Sequence, residues 1–274
     1  MSIKFITDST AYLPKRLIES LDITVLSLSV SFGEAIYKET DITNDFFFKT
    51  LDDYEGFPKS SQPSMQDTED IMRAYLSQGH DIIGTFISSE MSGTYQTTYM
   101  IAEGLKEEFP DRKIMIIDSR SNCMQLGLCV LKGIEKAETG FDAAVQAILH
   151  TIDNSRFIFI PDTLEYLKRG GRIGSAKALV SSVLKIKPIL TVEAGKTHVL
   201  GKVRTRKKAI DALIDIYNET RGKITDTFLH HINCLEDAQA LGKRLDGDFE
   251  ALAIGPVIGT HVGPGAIGIA YCWE

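Results

Sequence analysis

The chain has 274 residues, 43% hydrophobic and 24% charged, with 30 basic and 37 acidic side chains for a net charge of −7. That balance excludes a disordered, collagen-like or coiled-coil chain and disfavours bulk attraction to nucleic acid or an anionic membrane. No apolar run approaches the roughly 20 residues that span a bilayer, so stable membrane insertion is not expected. The opening MSIKFITDST lacks the basic-then-apolar pattern of a signal peptide. Cys123, Cys129, Cys234 and Cys272 are scattered without a CxxC pair, which argues against a zinc site or a disulfide framework. They read as core residues in a reducing cytoplasm. At roughly 150 residues per domain, the length suggests two domains.

In chain order, a short apolar strand at 3–7 is followed by a helix at 14–21 with proline in its first turn, then an alternating strand at 24–32. Ser64 reads as an N-cap with Asp67 three residues on, ahead of the helical stripe Ile71, Met72, Tyr75 and Leu76. Strands at 81–88 and 113–118 bracket a helix at 95–109, and helices at 125–136 and 142–154 close the first half. Strands alternating with helices in this way predict a parallel, doubly wound α/β sheet over 1–154.

From residue 155 the texture changes, and 155–274 reads as a second α/β domain with a mixed sheet. FIFIPD is a strand, LEYLKRGGRIGS gives a short helix, two glycines and another helix start, and two strands meet at Ala194-Gly195-Lys196 in a hairpin. An amphipathic helix at 207–221 follows. Strands near Phe228 and Leu252 flank a helix at 235–245. The tail reads as a glycine-rich loop, GPVIGTHVGPG, before a final strand.

Small polar residues gather where strands end and helices begin: Thr7-Asp8-Ser9, Ser60-Ser61-Gln62-Pro63-Ser64, Ser88-Ser89 with Ser92-Gly93-Thr94, and Asp118-Ser119. Singly these are N-caps and turns. Together they point to a ligand site beyond the carboxyl ends of the strands, where helix N-termini favour an anion. His261, between Gly259, Gly263 and Gly265, is a candidate ligand contact. His230 and His231, adjacent in an apolar strand and so on opposite faces, read as structural; His80, His150 and His198 carry no signal. The basic islands are 168–172 and 202–208, where an extended chain would put Lys202, Arg204 and Arg206 on one face. Such a run is either a solvated face or a dock for an acidic partner or phosphate. No GxxxxGK[ST], GxGxxG after a strand or GxSxG is present.

Taken in order, FITDSTAYLP, KSSQPS, ISSEMSGTYQTT, IDSRSNCMQLG, TLEYLKRGGRIGSAKA, LKIKPIL, GKVRTRKKA and GTHVGPGAIGIAY resemble the DegV family of bacterial fatty-acid-binding proteins along nearly the whole chain. The resemblance implies two α/β domains holding one long-chain fatty acid in an apolar slot at or near their interface. It implies a non-catalytic lipid-carrying subunit of a fatty acid kinase, with no cofactor beyond the bound lipid. A separate kinase subunit would phosphorylate the carboxylate with ATP to an acyl phosphate for phospholipid synthesis. Carried over by motif, the carboxylate would be held by Ser60, Ser92 and His261. Ser61, Gly93, Arg172 and Arg204 would stand behind them or at the partner surface. Phe46, Phe47 and Phe48 are open between slot lining, core and lid. The competing reading is an acyl hydrolase with Ser92 as nucleophile, His261 as base and Asp8 or Asp118 as orienter. A transcriptional regulator fits poorly with the acidic charge.

Overall fold

The structure, a computed structural model, describes residues 2–179, 186–220, 222–245, 247 and 249–274. The first half runs β1 (Ile3–Asp8), α1 (Lys15–Ser20), β2 (Thr24–Leu26), β3 (Ser29–Phe32), β4 (Ala35–Lys38), α2 (Asn44–Asp53), β5 (Lys59–Ser61) and α3 (Met65–Ser77). It continues with β6 (Asp81–Phe86), α4 (Thr94–Glu108), β7 (Ile114–Asp118), α5 (Cys123–Glu135) and α6 (Phe141–Asp153). The second half runs β8 (Ser155–Ile160), α7 (Glu165–Arg169), a 3-10 turn (Gly174–Leu179), β9 (Lys187–Glu193), β10 (Lys196–Val203) and α8 (Arg206–Asn218). It ends with β11 (Ile224–His231), α9 (Leu235–Arg244), β12 (Ala251–Ala253), α10 (Pro256–Val262) and β13 (Ile267–Trp273).

The strands form a parallel sheet in the order β2-β1-β6-β7, a mixed sheet in the order β10-β9-β8-β13-β11-β12, and a small antiparallel sheet β4-β3-β5. This is the expected α/β class. The parallel sheet is apolar on both faces because helices cover both. Ile6, Ile82 and Phe86 pack with Met72 of α3 and Leu105 of α4, while Phe5 and Ile83 face Cys129 of α5 and Ile148 of α6. The mixed sheet is likewise two-sided. Ile158 and Ile160 meet Leu213 of α8 and Leu241 of α9, whereas Phe157 and Phe159 turn to the other side with Leu126 and Val130 of α5. Helix α5 contacts both sheets. Its side chains are buried nearly all round, from Cys123 to Val130 without a break, as a helix between two layers must be.

Four expectations need correcting. The segment 24–32 is two strands in different sheets, since Ser27 and Leu28 break the run and Leu28 N turns aside to Ser9 Oγ at 3.1 Å. The stretch between them and α3 carries β4, α2 and β5, for which no element was expected; α2 is capped by Thr43, whose Oγ1 accepts from Phe46 N at 3.2 Å. Phe47 and Phe48 are core residues, while Phe46 is exposed and stacks edge-on to Tyr37 at 5.3 Å. The tail before the last strand is the helix α10, with proline at its start, rather than a glycine-rich loop. Extended chain stops at Val203: Thr205 caps α8, and Arg206 turns to Asp237 at 2.7 Å, so Lys202, Arg204 and Arg206 do not share a strand face. Arg221, in the expected helix at 207–221, and Leu184 and Lys185 of LKIKPIL lie outside the described residues.

The hairpin turn is as expected. Ala194 (φ 49°) and Gly195 (φ 82°) are both left-handed, the two-residue turn whose twist matches paired strands. Ser64 caps α3 by accepting from Asp67 N at 3.2 Å.

Candidate functional site

Phe157, Phe159, Ile232 and the α10 residues Val257, Ile258 and Val262 enclose a cavity of about 330 Å³, within the range of small-molecule sites. Leu28 and Ile87 close it from the N-terminal half. Its polar residues include Ser60, Ser61, Gln62, Ser92, Gly93, Arg172 and His261, so most of the residues flagged in the sequence meet at one place. Arg204 is the exception: it is exposed beyond the end of β10 and does not line the cavity.

Ser60 is placed by β5, where it pairs opposite Val30 of β3 and is half-buried between exposed Lys59 and Ser61. His261 sits in the last turn of α10. The two are 201 positions apart, and Ser60 Oγ and His261 Nε2 share a hydrogen bond of 2.8 Å. The other imidazole nitrogen, Nδ1, is buried and has no partner among the described residues. It lies against Gly170, where a Cβ would stand 2.2 Å from it. Burial, and then the positive charge of Arg172, lower the His261 pKa to about 4. The ring is therefore neutral at pH 7 and offers one N–H.

Ser92 precedes α4. Its Oγ shares a 2.9 Å hydrogen bond with Thr94 Oγ1 and accepts weakly from Thr94 N at 3.3 Å. Gly93 occupies the N-cap position and caps nothing with a side chain. A Cβ there would stand 2.5 Å from Gln62 Oε1, so the absence of one lets Gln62 cross the helix start and donate to Thr97 Oγ1 at 2.9 Å. The 15-residue α4 thus directs its positive end toward hydroxyls at the cavity. Arg172 follows the left-handed Gly171 (φ 73°) and donates from Nε to Met91 O at 3.1 Å and from Nη1 to Gly170 O at 2.7 Å. That ties the island at 168–172 to the loop bearing Ser92. With Nε and Nη1 committed to the backbone, the guanidinium is held at the cavity lining. The lining contains this arginine, three histidines and no carboxylate among the described residues. An anion is suited to that field; a cation is not.

The other flagged polar segments serve the backbone. Asp8 accepts from Thr10 N at 2.9 Å and Ile87 N at 2.7 Å, and Ser88 donates to Gly195 O at 2.8 Å. Asp118 accepts from Ser89 Oγ at 2.6 Å and Arg120 N at 2.8 Å. The relay required of a serine hydrolase does not assemble. His261 is bonded to Ser60 rather than Ser92, and neither Asp8 nor Asp118 reaches it.

Sequence reasoning missed Asn122, His230 and His231, all of which line the cavity. His230 is 2% exposed and its Nε2 accepts from Met124 N at 3.2 Å, which puts the proton of the neutral ring on Nδ1. Burial, with His231 beside it, lowers its pKa to about 3. The two rings do alternate across β11: His230 packs on Phe157 and meets Met124 of α5, while His231 lies on the Leu229 side and accepts from Cys234 N at 3.4 Å.

The family model described as "Uncharacterised protein, DegV family" matches residues 2–274. The chain belongs to the DegV family. A DegV domain-containing protein of Clostridium acetobutylicum is 45% identical, over 100% of this chain and 99% of its own. A fatty acid binding DegV family protein from Thermus thermophilus has a TM-score of 0.91 and 31% identity, covering 100% of both chains. A stearic acid-binding protein from Eubacterium ventriosum has a TM-score of 0.89 and 28% identity, covering 100% of this chain and 98% of that one. DegV from Bacillus subtilis, a fatty acid binding protein, has a TM-score of 0.88 and 30% identity, covering 100% of both. In this DegV chain, no helix among the described residues is long and apolar enough to cross a membrane.

Proposed function

We propose that this protein binds one long-chain fatty acid in the cavity, without a further cofactor, and presents its carboxylate to a separate kinase subunit. The observation that carries the reading is the cavity's polarity: apolar along α10 and β8, with Ser60, Ser92, His261 and Arg172 grouped together and no acidic residue among the described lining. Two lobes, 1–154 and 155–274, would close on the lipid from either side. Ser60, Ser92 and His261 are the carboxylate ligands in this reading. A neutral imidazole and two hydroxyls fix the anion by charge-assisted hydrogen bonds, with Ser61, Gly93 and Arg172 behind them. Arg204, exposed and away from the cavity, belongs to the partner-facing surface.

Burial of the tail is the larger contribution. At ~0.8 kcal/mol per methylene, ~15 methylenes contribute ~12 kcal/mol gross, before the cost of ordering the chain. The head group then adds orientation. A carboxylate oxygen attacks the γ-phosphorus of ATP in line; the new O–P bond forms as the bond to ADP breaks, leaving an acyl phosphate. The nucleotide is held by the kinase, in keeping with a carrier whose sequence has no phosphate loop. This reading places the protein in the bacterial cytoplasm, serving phospholipid synthesis.

Mass spectrometry tests it. The purified protein is expected to carry one fatty acid per chain under native conditions and to release it only on denaturation. Ser92→Ala and His261→Ala are expected to impair acyl-phosphate formation while still retaining lipid, because tail burial is untouched. An empty protein that hydrolyses acyl esters, and stops doing so on Ser92→Ala, would overturn the carrier reading.

A further inference from the structure

Helix α10 begins with residues that cannot cap it. Gly255 at the N-cap position has no side chain and Pro256 has no N–H, so the amides of Val257 and Ile258 need acceptors from elsewhere. They find them in the N-terminal half of the chain. Val257 N donates to Glu39 Oε1 at 2.8 Å, Ile258 N donates to Tyr12 Oη at 3.1 Å, and Tyr12 Oη donates to that same Oε1 at 2.8 Å. Gly259 N makes the first bond within the helix, to Gly255 O at 2.9 Å. A cap that is normally supplied by the preceding residue comes here from 218 positions away.

The approach is close and enclosed. Glu39 is 6% exposed. A Cβ on Gly255 would stand 2.7 Å from both Glu39 Oε1 and the Tyr12 ring, so glycine is what admits the acceptor. Glu39 and Tyr12 do not line the cavity; they act on the far end of the helix that does. His261 follows Val257 by four residues, one turn along the same helix face and about 6 Å away. A seven-residue helix has no room to absorb a displacement between those two points. What fixes the Val257 amide therefore fixes the imidazole that meets Ser60.

We propose that Glu39, together with Tyr12, is a positioning residue for the head-group site. It holds the first turn of α10 so that His261 sits within hydrogen-bond reach of Ser60 and of an incoming carboxylate. The assignment rests on the reading that His261 receives the carboxylate of a fatty acid. Glutamine keeps a carbonyl oxygen for Val257 N and Tyr12 Oη, whereas alanine leaves the Val257 amide without its acceptor and the Tyr12 hydroxyl, which still accepts from Ile258 N, without its anchor.

The test compares palmitate with hexadecanol, which has the same tail and no carboxylate, on the full chain and on Glu39→Ala, Glu39→Gln and Tyr12→Phe. Spectra of labelled histidine side chains are read in parallel. Glu39→Ala is expected to weaken palmitate by about tenfold, to leave hexadecanol within twofold, and to move the His261 imidazole resonances. Glu39→Gln is expected to restore both readouts to near wild type. Tyr12→Phe, which removes a single hydroxyl, is expected to show a smaller selective loss and supplies the readout if the alanine variant does not fold. Equal losses for acid and alcohol, or unmoved His261 resonances in every folded variant, would overturn the assignment. A wild type that binds acid and alcohol equally would remove the head-group reading itself, and this assignment with it. A wild type that prefers the acid, with variants that keep that preference, overturns the assignment alone.

Discussion

Gly170 shows how much of the site depends on an atom that is missing. The His261 ring occupies the place where a Cβ would be, 2.2 Å from Nδ1. Gly170→Ala is therefore expected to push the imidazole off Ser60 and weaken fatty acid binding by about tenfold. Titration with a fluorescent fatty acid checks this, and unchanged affinity would mean that the ring can move aside freely. Ser60, Ser92 and His261 were legible in the sequence because each sits in a short, unusual setting of serines or glycines. Their pairing was not, since 201 positions separate Ser60 from His261 and no local pattern links them. His230 was illegible for another reason. Alternation along β11 turns its ring toward α5 and the cavity, but an apolar strand by itself does not say which of its faces borders a cavity.

Among the elements, those with their own local signals were readable. Ser64 and the stripe behind it announce α3, and the expected cap is present. Ser64→Ala is expected to cost about 1 kcal/mol of stability and to leave lipid affinity unchanged, measured by urea denaturation and by fatty acid titration. The parallel strands and their helices were legible from alternating apolar runs. Helix α10 was not. Gly255, Gly259 and Gly263 suggest a loop, and Gly259 is in fact where the helix packs closely, a Cβ there meeting Phe47 and Phe48 at 3.3 Å. A helix whose cap lies in another part of the chain leaves no capping signature in its own sequence. The small β4-β3-β5 sheet was missed on similar grounds: its strands are three or four residues long, and β4 is largely exposed.

For the molecule as a whole, pH exposes the cost of lining a cavity with histidines. The pKa of His230 is lowered to about 3 and that of His261 to about 4, against 6.5 for a free ring. Each therefore takes up a proton on unfolding that it lacks when folded. Their contribution to stability is intact above about pH 6.5 and is lost as the pH falls toward 4 and below. In that window each adds up to about 1.4 kcal/mol per pH unit to the slope of stability against pH. The buried carboxyls of Asp8 and Glu39, held above the usual range by burial, act in the opposite sense. Urea melts at pH 7.5, 6 and 5 are therefore compared between wild type and His230→Gln/His261→Gln. The double variant is expected to lose less stability on acidification, and parallel slopes would show that neither ring is buried in its neutral form.

The order of strands in the mixed sheet carries a consequence for synthesis. β13 follows every other strand along the chain, yet it lies between β8 and β11 and bonds to both. On the ribosome, β8 and β11 have no direct pairing to fall back on, so the sheet remains in two pieces until residues 267–273 have emerged. The face of α5 that packs on β8 and β13 is only partly covered until then. A growing chain therefore exposes part of that apolar surface from the emergence of α5 until that of β13, and the pocket is completed in one late step rather than by gradual accretion. Chaperone dependence is expected to be concentrated in that interval.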